Sequence, residues 1–170
     1  MYLPDHEIRK LCRAGAVEGY DELLIGPASL DVRLGQEIMV ESQDTPDLQR
    51  LSIADTTKDN PYWLAPQEFI LGHTQEKFFI PDSICVEFRL KSSRGREGIS
   101  HALAVFGDPG FSNSRLTLEL HSIRRYHPTR IWAGMLIGQM LFARMESPSE
   151  KSYALTGRYN DCEGVEPSKG

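Results

Sequence analysis

Residues 89–120 read RLKSSRGREGISHALAVFGDPGFSNSRLTLEL and set two kinds of chemistry about two dozen residues apart. At one end Lys91-Ser92-Ser93-Arg94-Gly95-Arg96 gathers cations and hydroxyls, which donate charge-assisted bonds to phosphate or to a polar intermediate. At the other, Glu119 is the one carboxylate in Leu116-Thr117-Leu118-Glu119-Leu120, a run that otherwise reads as a buried strand. Strand alternation lets Glu119 point outward, while a place inside a pocket would call for a cationic partner such as Arg96. The residues alone favour the solvated orientation, the commoner one for a charged strand residue.

Around this stretch the pattern is that of a β-rich protein. Short apolar or alternating runs at Ser29–Leu34, Glu37–Val40, Glu68–Gly72, Ile84–Leu90, Arg115–His121 and Gly138–Arg144 predict strands, and Pro61, Pro66, Pro81, Pro109 and Pro128 fall between them. Asp5 is a good N-cap for a short helix over 6–14, with Ile8, Leu11, Cys12 and Ala14 on one face and Gly15 near its end. Glu41–Asn60 reads as a long polar loop, and Glu146–Gly170 as a tail outside the core, unusual only for Tyr153, Arg158 and Tyr159.

With 170 residues, 40% hydrophobic and 25% charged, the composition fits one soluble domain over 1–170 that buries its own core. No apolar run approaches the ~18 residues of a membrane span, so no membrane partner is expected. The net charge of −5 argues against nucleic acid as a partner, and the local cluster of Arg89, Lys91, Arg94 and Arg96 suits a small anion better than a duplex. Cys12, Cys85 and Cys162 lack metal-ligand or disulfide spacing, and the N-terminus carries no secretory signal, so a cytoplasmic location is expected.

Several motifs, taken in order, resemble the trimeric dCTP deaminase branch of the dUTPase-like superfamily. Gly26-Pro27-Ala28-Ser29-Leu30-Asp31-Val32-Arg33-Leu34-Gly35 is similar to that family's PAS-x-D-x-R-L-G strand. Leu64-Ala65-Pro66 through Phe69 to Glu76 resembles its L-x-P…F-x-L…T-x-E segment, and Lys91-Ser92-Ser93 through Ile99 its K-S-S-x-x-R-x-G signature. Asp108-Pro109-Gly110-Phe111, Leu116–Leu120 and Gly134–Gln139 continue the series, with a weaker echo at Gly157-Arg158-Tyr159.

The resemblance implies a mainly β, distorted β-barrel or jelly-roll-like subunit of the dUTPase type with a short N-terminal helix. It implies a homotrimer with active sites between subunits, and dCTP, dUTP or dTTP-type nucleotides as ligands. The implied reaction is zinc-independent hydrolytic deamination of dCTP to dUTP and ammonia, a C–N bond cleavage at a cyclic amidine that feeds dTTP synthesis. Magnesium would be held only through the triphosphate. Glu119 would then be the base, Arg96 its partner, and Ser92 a contact to water or base edge. Lys91, Ser93 and Arg94 become triphosphate candidates, although the family position of Arg94 is usually apolar and its guanidinium could face solvent instead. Asp108 would accept from the sugar 3′-hydroxyl, Phe111 pack on the deoxyribose, and Gln139 meet phosphate across an interface. Tyr153, Arg158 and Tyr159 would belong to a C-terminal lid at 146–170.

Two stretches depart from the pattern. Leu103 stands where the family carries threonine, in a His101–Gly107 segment one residue short, and Asn160-Asp161-Cys162-Glu163-Gly164 replaces a glutamine-rich turn. A bifunctional enzyme that carries dUTP on to dUMP, and a non-catalytic nucleotide-binding relative, therefore stay open beside the monofunctional deaminase. The dedicated dUTPase branch is disfavoured by the absence of its glycine-rich C-terminal motif.

Overall fold

The computed structural model describes residues 1–102, 104 and 106–170. Two long antiparallel strands, β6 (Phe69–Phe79) and β10 (Ser112–Ser122), form its spine; they follow the short elements α1 (Asp5–Leu11), β1 (Val17–Glu18), β2 (Leu30–Arg33), β3 (Glu37–Val40), β4 (Gln49–Ser52) and β5 (Tyr62–Leu64). Between and after them come β7 (Ile84–Leu90), α2 (Ser92–Arg96), β8 (Ile99–His101), β9 (Phe106–Gly107), β11 (Thr129–Ile131), β12 (Leu136–Arg144) and α3 (Tyr153–Thr156). One sheet runs β4-β3-β6-β10-β8 with β1 also on β6, a second runs β2-β12-β7-β9, and β5 pairs β11. The mainly β expectation holds, and the strand orders are open rather than closed into a barrel. None of the described helices is long and apolar enough to cross a membrane.

The main core lies between the two larger sheets. Ile70, Leu118 and Leu120 from the first meet Val32, Phe88, Met140 and Phe142 from the second, all essentially without solvent exposure. On β10 the period of two is plain: Leu118, Leu120 and Ser122 are buried, while Thr117, Glu119 and His121 occupy the opposite face. That opposite face is covered as well. Val165 is 0% exposed and packs with Met39 and Leu71, flanked by Leu48 and Phe69, into a second small apolar cluster on the outer side of β3 and β6.

The C-terminal segment is therefore packed, correcting the expectation of a tail outside the core. It is stitched to β10 by polar bonds: Arg115 N donates to Cys162 O (2.9 Å), Cys162 N to Ser114 Oγ (3.1 Å), and Glu166 N to Thr117 Oγ1 (3.2 Å). One valine and a set of side-chain acceptors do what an apolar run would do elsewhere, so composition gave no warning. Two further expectations are corrected. The 41–60 stretch contains β4, whose four residues are all exposed and so lack the alternation that marks a half-buried strand. Pro4, not Asp5, occupies the N-cap of α1, and the helix passes into a wider turn over Cys12–Ala16 that ends at Gly15, φ +93°.

A buried ion pair ties the sheets together. Glu76 of β6, 0% exposed, accepts from Arg33 Nε (2.7 Å) and from Arg33 backbone N (2.9 Å) on β2, and the same guanidinium donates to Gly19 O. Removing the carboxylate strands a cation and a backbone N–H away from water, so Glu76→Ala is expected to lower stability by about 3 kcal/mol. Glu22→Ala, which removes the exposed partner of Arg9 and Arg13, should cost less than about 1 kcal/mol. Urea unfolding of the two variants side by side measures the contrast, and equal midpoints would remove Glu76 from this structural role.

Candidate active site

The outer face of β10, the covering C-terminal segment and the loop before β10 enclose a cleft of about 550 Å³. Glu119 lies on its floor, 28% exposed at the side chain. Burial pushes its carboxyl above the ordinary carboxylate value, by desolvation of the charged form. Both sequence readings of Glu119 are thus partly met: it points away from the main core, as alternation requires, into a space that the C-terminal segment has closed.

The Asp108-Pro109-Gly110-Phe111 turn forms one wall. Phe111 N donates to Asp108 O (3.1 Å), and Gly110 sits at φ +90°, where a Cβ would come within 2.3 Å of Ser152 Oγ. Only glycine fits both the conformation and the gap. Asp108 is exposed, whereas Phe111 is buried with its ring 6.0 Å from that of Tyr153. Tyr153 N donates to Pro109 O (2.9 Å), and burial raises the Tyr153 phenol above its usual value. Tyr159 also lines the cleft, and Arg158 is exposed beside it. Asn160 braces this region, accepting from Ser112 N (3.0 Å) and donating to Tyr153 O (2.6 Å). The departure at Asn160 thus has a structural role of its own. Leu103, the other departure, lies outside the described residues; its neighbours Ala104 and Phe106 line the cleft.

The structure brings Glu119, Asp108, Phe111, Tyr153 and Tyr159 together and places the remaining expected residues elsewhere. Lys91 pairs with Asp31, whose other oxygen accepts from Gln139 Nε2 (3.2 Å); Gln139 also donates to Ser29 Oγ (3.3 Å). Three separate sequence motifs therefore converge on one carboxylate of β2. Ser92 and Ser93 are exposed on α2. Arg94 faces neither free solvent nor the cleft: it donates to Glu97 Oε2 (2.7 Å) and lies 5.9 Å over the ring of Trp132.

Arg96 does not pair with Glu119 within the chain. It is exposed and lines a separate cleft with Trp63, Arg124 and Arg130, because α2 precedes β8 on the side of the β5–β11 pair. The group that does reach Glu119 is His101, at the end of β8. Sequence reasoning passed over it. Its signal was faint: a histidine two residues after Ile99 on the buried face of a very short strand.

Among the described residues, no three His, Cys, Asp or Glu side chains converge on a point where a metal ion could sit.

Two open β layers, with Glu119 on the floor of a cleft that the C-terminal segment closes over, define a mainly β protein with one enclosed polar site. Within that class the chain belongs to the dCTP deaminase-like family, whose sequence pattern matches residues 2–145. A protein of Corynebacterium efficiens named "dCTP deaminase, dUMP-forming" is 36% identical over 184 residues, covering 100% of this chain and 94% of its own length. A protein of the same name from a Nocardioides species is 38% identical over 185 residues, covering 99% and 95%. The crystal structure of 2′-deoxycytidine 5′-triphosphate deaminase from Agrobacterium tumefaciens shares the fold with TM-score 0.69 at 22% identity; the match takes in 85% of this chain and about half, 48%, of that one.

If Val165 is what seats the C-terminal segment, Val165→Asp, which places a charge between Met39 and Leu71, should detach it while the main core stays folded. Hydrogen exchange at the Cys162 and Glu166 amides is expected to accelerate roughly tenfold or more, with the β-sheet circular dichroism unchanged. Unaltered exchange would mean that the polar bonds along β10 suffice.

Proposed function

We propose that this protein is a bifunctional enzyme that converts dCTP to dUMP, ammonia and diphosphate, the alternative left open by the sequence in place of a deaminase that stops at dUTP. The observation that carries the deaminase half is Glu119, a half-buried carboxylate on the floor of a cleft of nucleoside size. The second half is supported by relatives that match essentially the whole chain, C-terminal segment included, and are named dUMP-forming.

In this reading Glu119 takes a proton from water and the hydroxide adds to C4 of the cytosine ring. The proton passes to the exocyclic nitrogen, the C4–N bond breaks, and ammonia leaves. Burial suits the carboxylate to this double duty, since a base near the working pH both accepts and returns a proton well. Asp108 accepts from the 3′-hydroxyl, and the buried Phe111, backed by Tyr153, leaves a ribose 2′-hydroxyl without a partner. A second water then attacks the α-phosphorus and releases diphosphate. Magnesium on the triphosphate would offset its charge.

The remaining polar contacts to the nucleotide and to Glu119 come from a neighbouring copy. Arg96 and Ser92 are exposed and away from the cleft of their own chain, which a homotrimer with shared sites explains: each cleft receives α2 and the Gln139 region of the next subunit. The segment from 146 to 170 acts as the cover of the site.

Incubation with dCTP and magnesium, with nucleotides separated over time, is expected to yield dUMP without a build-up of dUTP; stoichiometric dUTP would reduce the enzyme to a monofunctional deaminase. Glu119→Gln should cut ammonia release by at least ~1000-fold and keep nucleotide binding, because the amide preserves shape but accepts no proton. Activity within about threefold of the parent would remove Glu119 from the base role. For the shared site, inactive Glu119→Gln and Arg96→Ala chains are expected to recover activity when refolded together, since mixed trimers contain some clefts with neither change. A trimer with no recovery would sink the exchange of Arg96 between subunits.

A further inference from the structure

Beside Glu119, behind the lining of the cleft, lies a second buried ionisable side chain. His101 ends β8 opposite Leu120 in the antiparallel ladder, and its ring is 4% exposed. The fully buried ring of Phe88 lies 4.7 Å away at 47° and closes one side. On the other side Nε2 stands 3.3 Å from Oε2 of Glu119. The approach lacks hydrogen-bond alignment, so that among the described residues Oε2 and both ring nitrogens are buried without a partner.

Three adjacent buried polar atoms left unpaired are a costly arrangement, and each is the kind that needs a reason. A rotation of either side chain would align Nε2–H with Oε2 and satisfy two of them at once. Glu119 also lines the cleft, where its other oxygen, Oε1, would meet a bound water.

We propose that His101 is a positioning residue for Glu119: its Nε2–H holds Oε2 against the floor, so that Oε1 is presented to the attacking water and the carboxylate stays ionised to receive the proton. The inference rests on the deamination proposed above and deepens it, assigning within one chain the role that Arg96 cannot fill from its own subunit. His101 is neither consumed nor reduced to a proton donor in the balance. Water gives its proton to Oε1, the exocyclic nitrogen takes it, and Nε2 keeps its own hydrogen throughout.

The surroundings leave this task to His101. From β7 the facing group is Phe88, and from β6 it is Leu71, opposite Glu119 in the ladder, both apolar. The ionisable groups on the cleft wall are Asp108, Arg115, Tyr153, Tyr159, Cys162 and Glu166, with His121 on the outer side of Glu119. Among the described residues, only Glu119 comes within ion-pair distance of His101. Burial moves the two groups toward neutrality, raising the carboxyl and lowering the imidazole. A neutral ring is the form that donates one N–H and carries no charge into the core. A hydrogen bond to the ionised carboxylate favours that ionised form, opposing its desolvation. Losing the donor therefore raises the pH at which the base becomes available.

His101→Leu is expected to lower kcat about 10- to 100-fold with KM for dCTP within about threefold, and to move the acid limb of kcat upward by about one pH unit. His101→Gln, whose amide can still donate, should regain most of the rate and return the limb. Equal losses in both variants, or a limb that does not move in His101→Leu, would reduce His101 to a packing residue. A measurement free of folding and turnover is the ring-nitrogen NMR titration of His101 in the parent and in Glu119→Gln. Losing the neighbouring carboxylate should lower the imidazole pKa, and an unchanged titration would overturn the pairing even if deamination stands. Should Glu119→Gln retain deamination while the titration shifts, the pairing survives and the base assignment fails.

Discussion

The second burial of the β6–β10 spine governs the site. A strand with Leu118 and Leu120 inward has by geometry its Glu119 outward, and on an ordinary half-exposed sheet that carboxylate would be wet and unremarkable in its chemistry. Val165 changes this by seating the C-terminal segment over Met39 and Leu71, with main-chain bonds to Ser114, Arg115 and Thr117 holding the segment in line. Water is excluded from one side of the strand without any change in the strand itself. The cleft and the elevated carboxyl both follow from that cover.

Polar groups inside the protein sit at joins. Glu76 and Arg33 connect the two sheets and also hold the loop at Gly19, and Asp31 gathers Lys91, just past β7, and Gln139 from within β12. In each case a short carboxylate accepts from more than one donor, which is how a buried charge is kept without an unmatched partner. His101 and Glu119 break that rule, and they do so at the edge of the cleft, where the unmet hydrogen-bonding capacity of Glu119 is available to a ligand or a water.

The strands Glu37–Val40 and Ile84–Leu90 are legible to the residue, the first as a short apolar run and the second by alternation, each bounded by turn residues. The spine strands were found but cut short: β6 runs on to Phe79 through His73, Thr74 and Glu76, polar residues buried by specific bonds that no periodicity announces. β4 escaped notice since all its side chains are wet, and the packing of the C-terminal segment since it depends on a single valine. In the site, the aromatic and acidic members around Glu119 could be anticipated from their motifs. The placement of Arg96 could not: a motif preserves the order of residues along the chain and says nothing about which cleft the end of a short helix turns its side chain toward. His101 was hidden for a different reason, as a residue whose meaning comes from what it touches across the ladder.

The slot at Gly110 has a mechanical consequence. Ser152 fills the space that a side chain would take, Tyr153 N is bonded to Pro109 O, and Asn160 reaches from Tyr153 O to Ser112 N. The turn at Asp108–Phe111 and the start of the C-terminal segment are in this way geared to each other, with α3 as the tooth between them. Neither can swing outward alone without breaking the bonds at Pro109 O and Ser112 N and opening a gap beside glycine, so entry to the cleft and the shape of its wall are set by one movement rather than two.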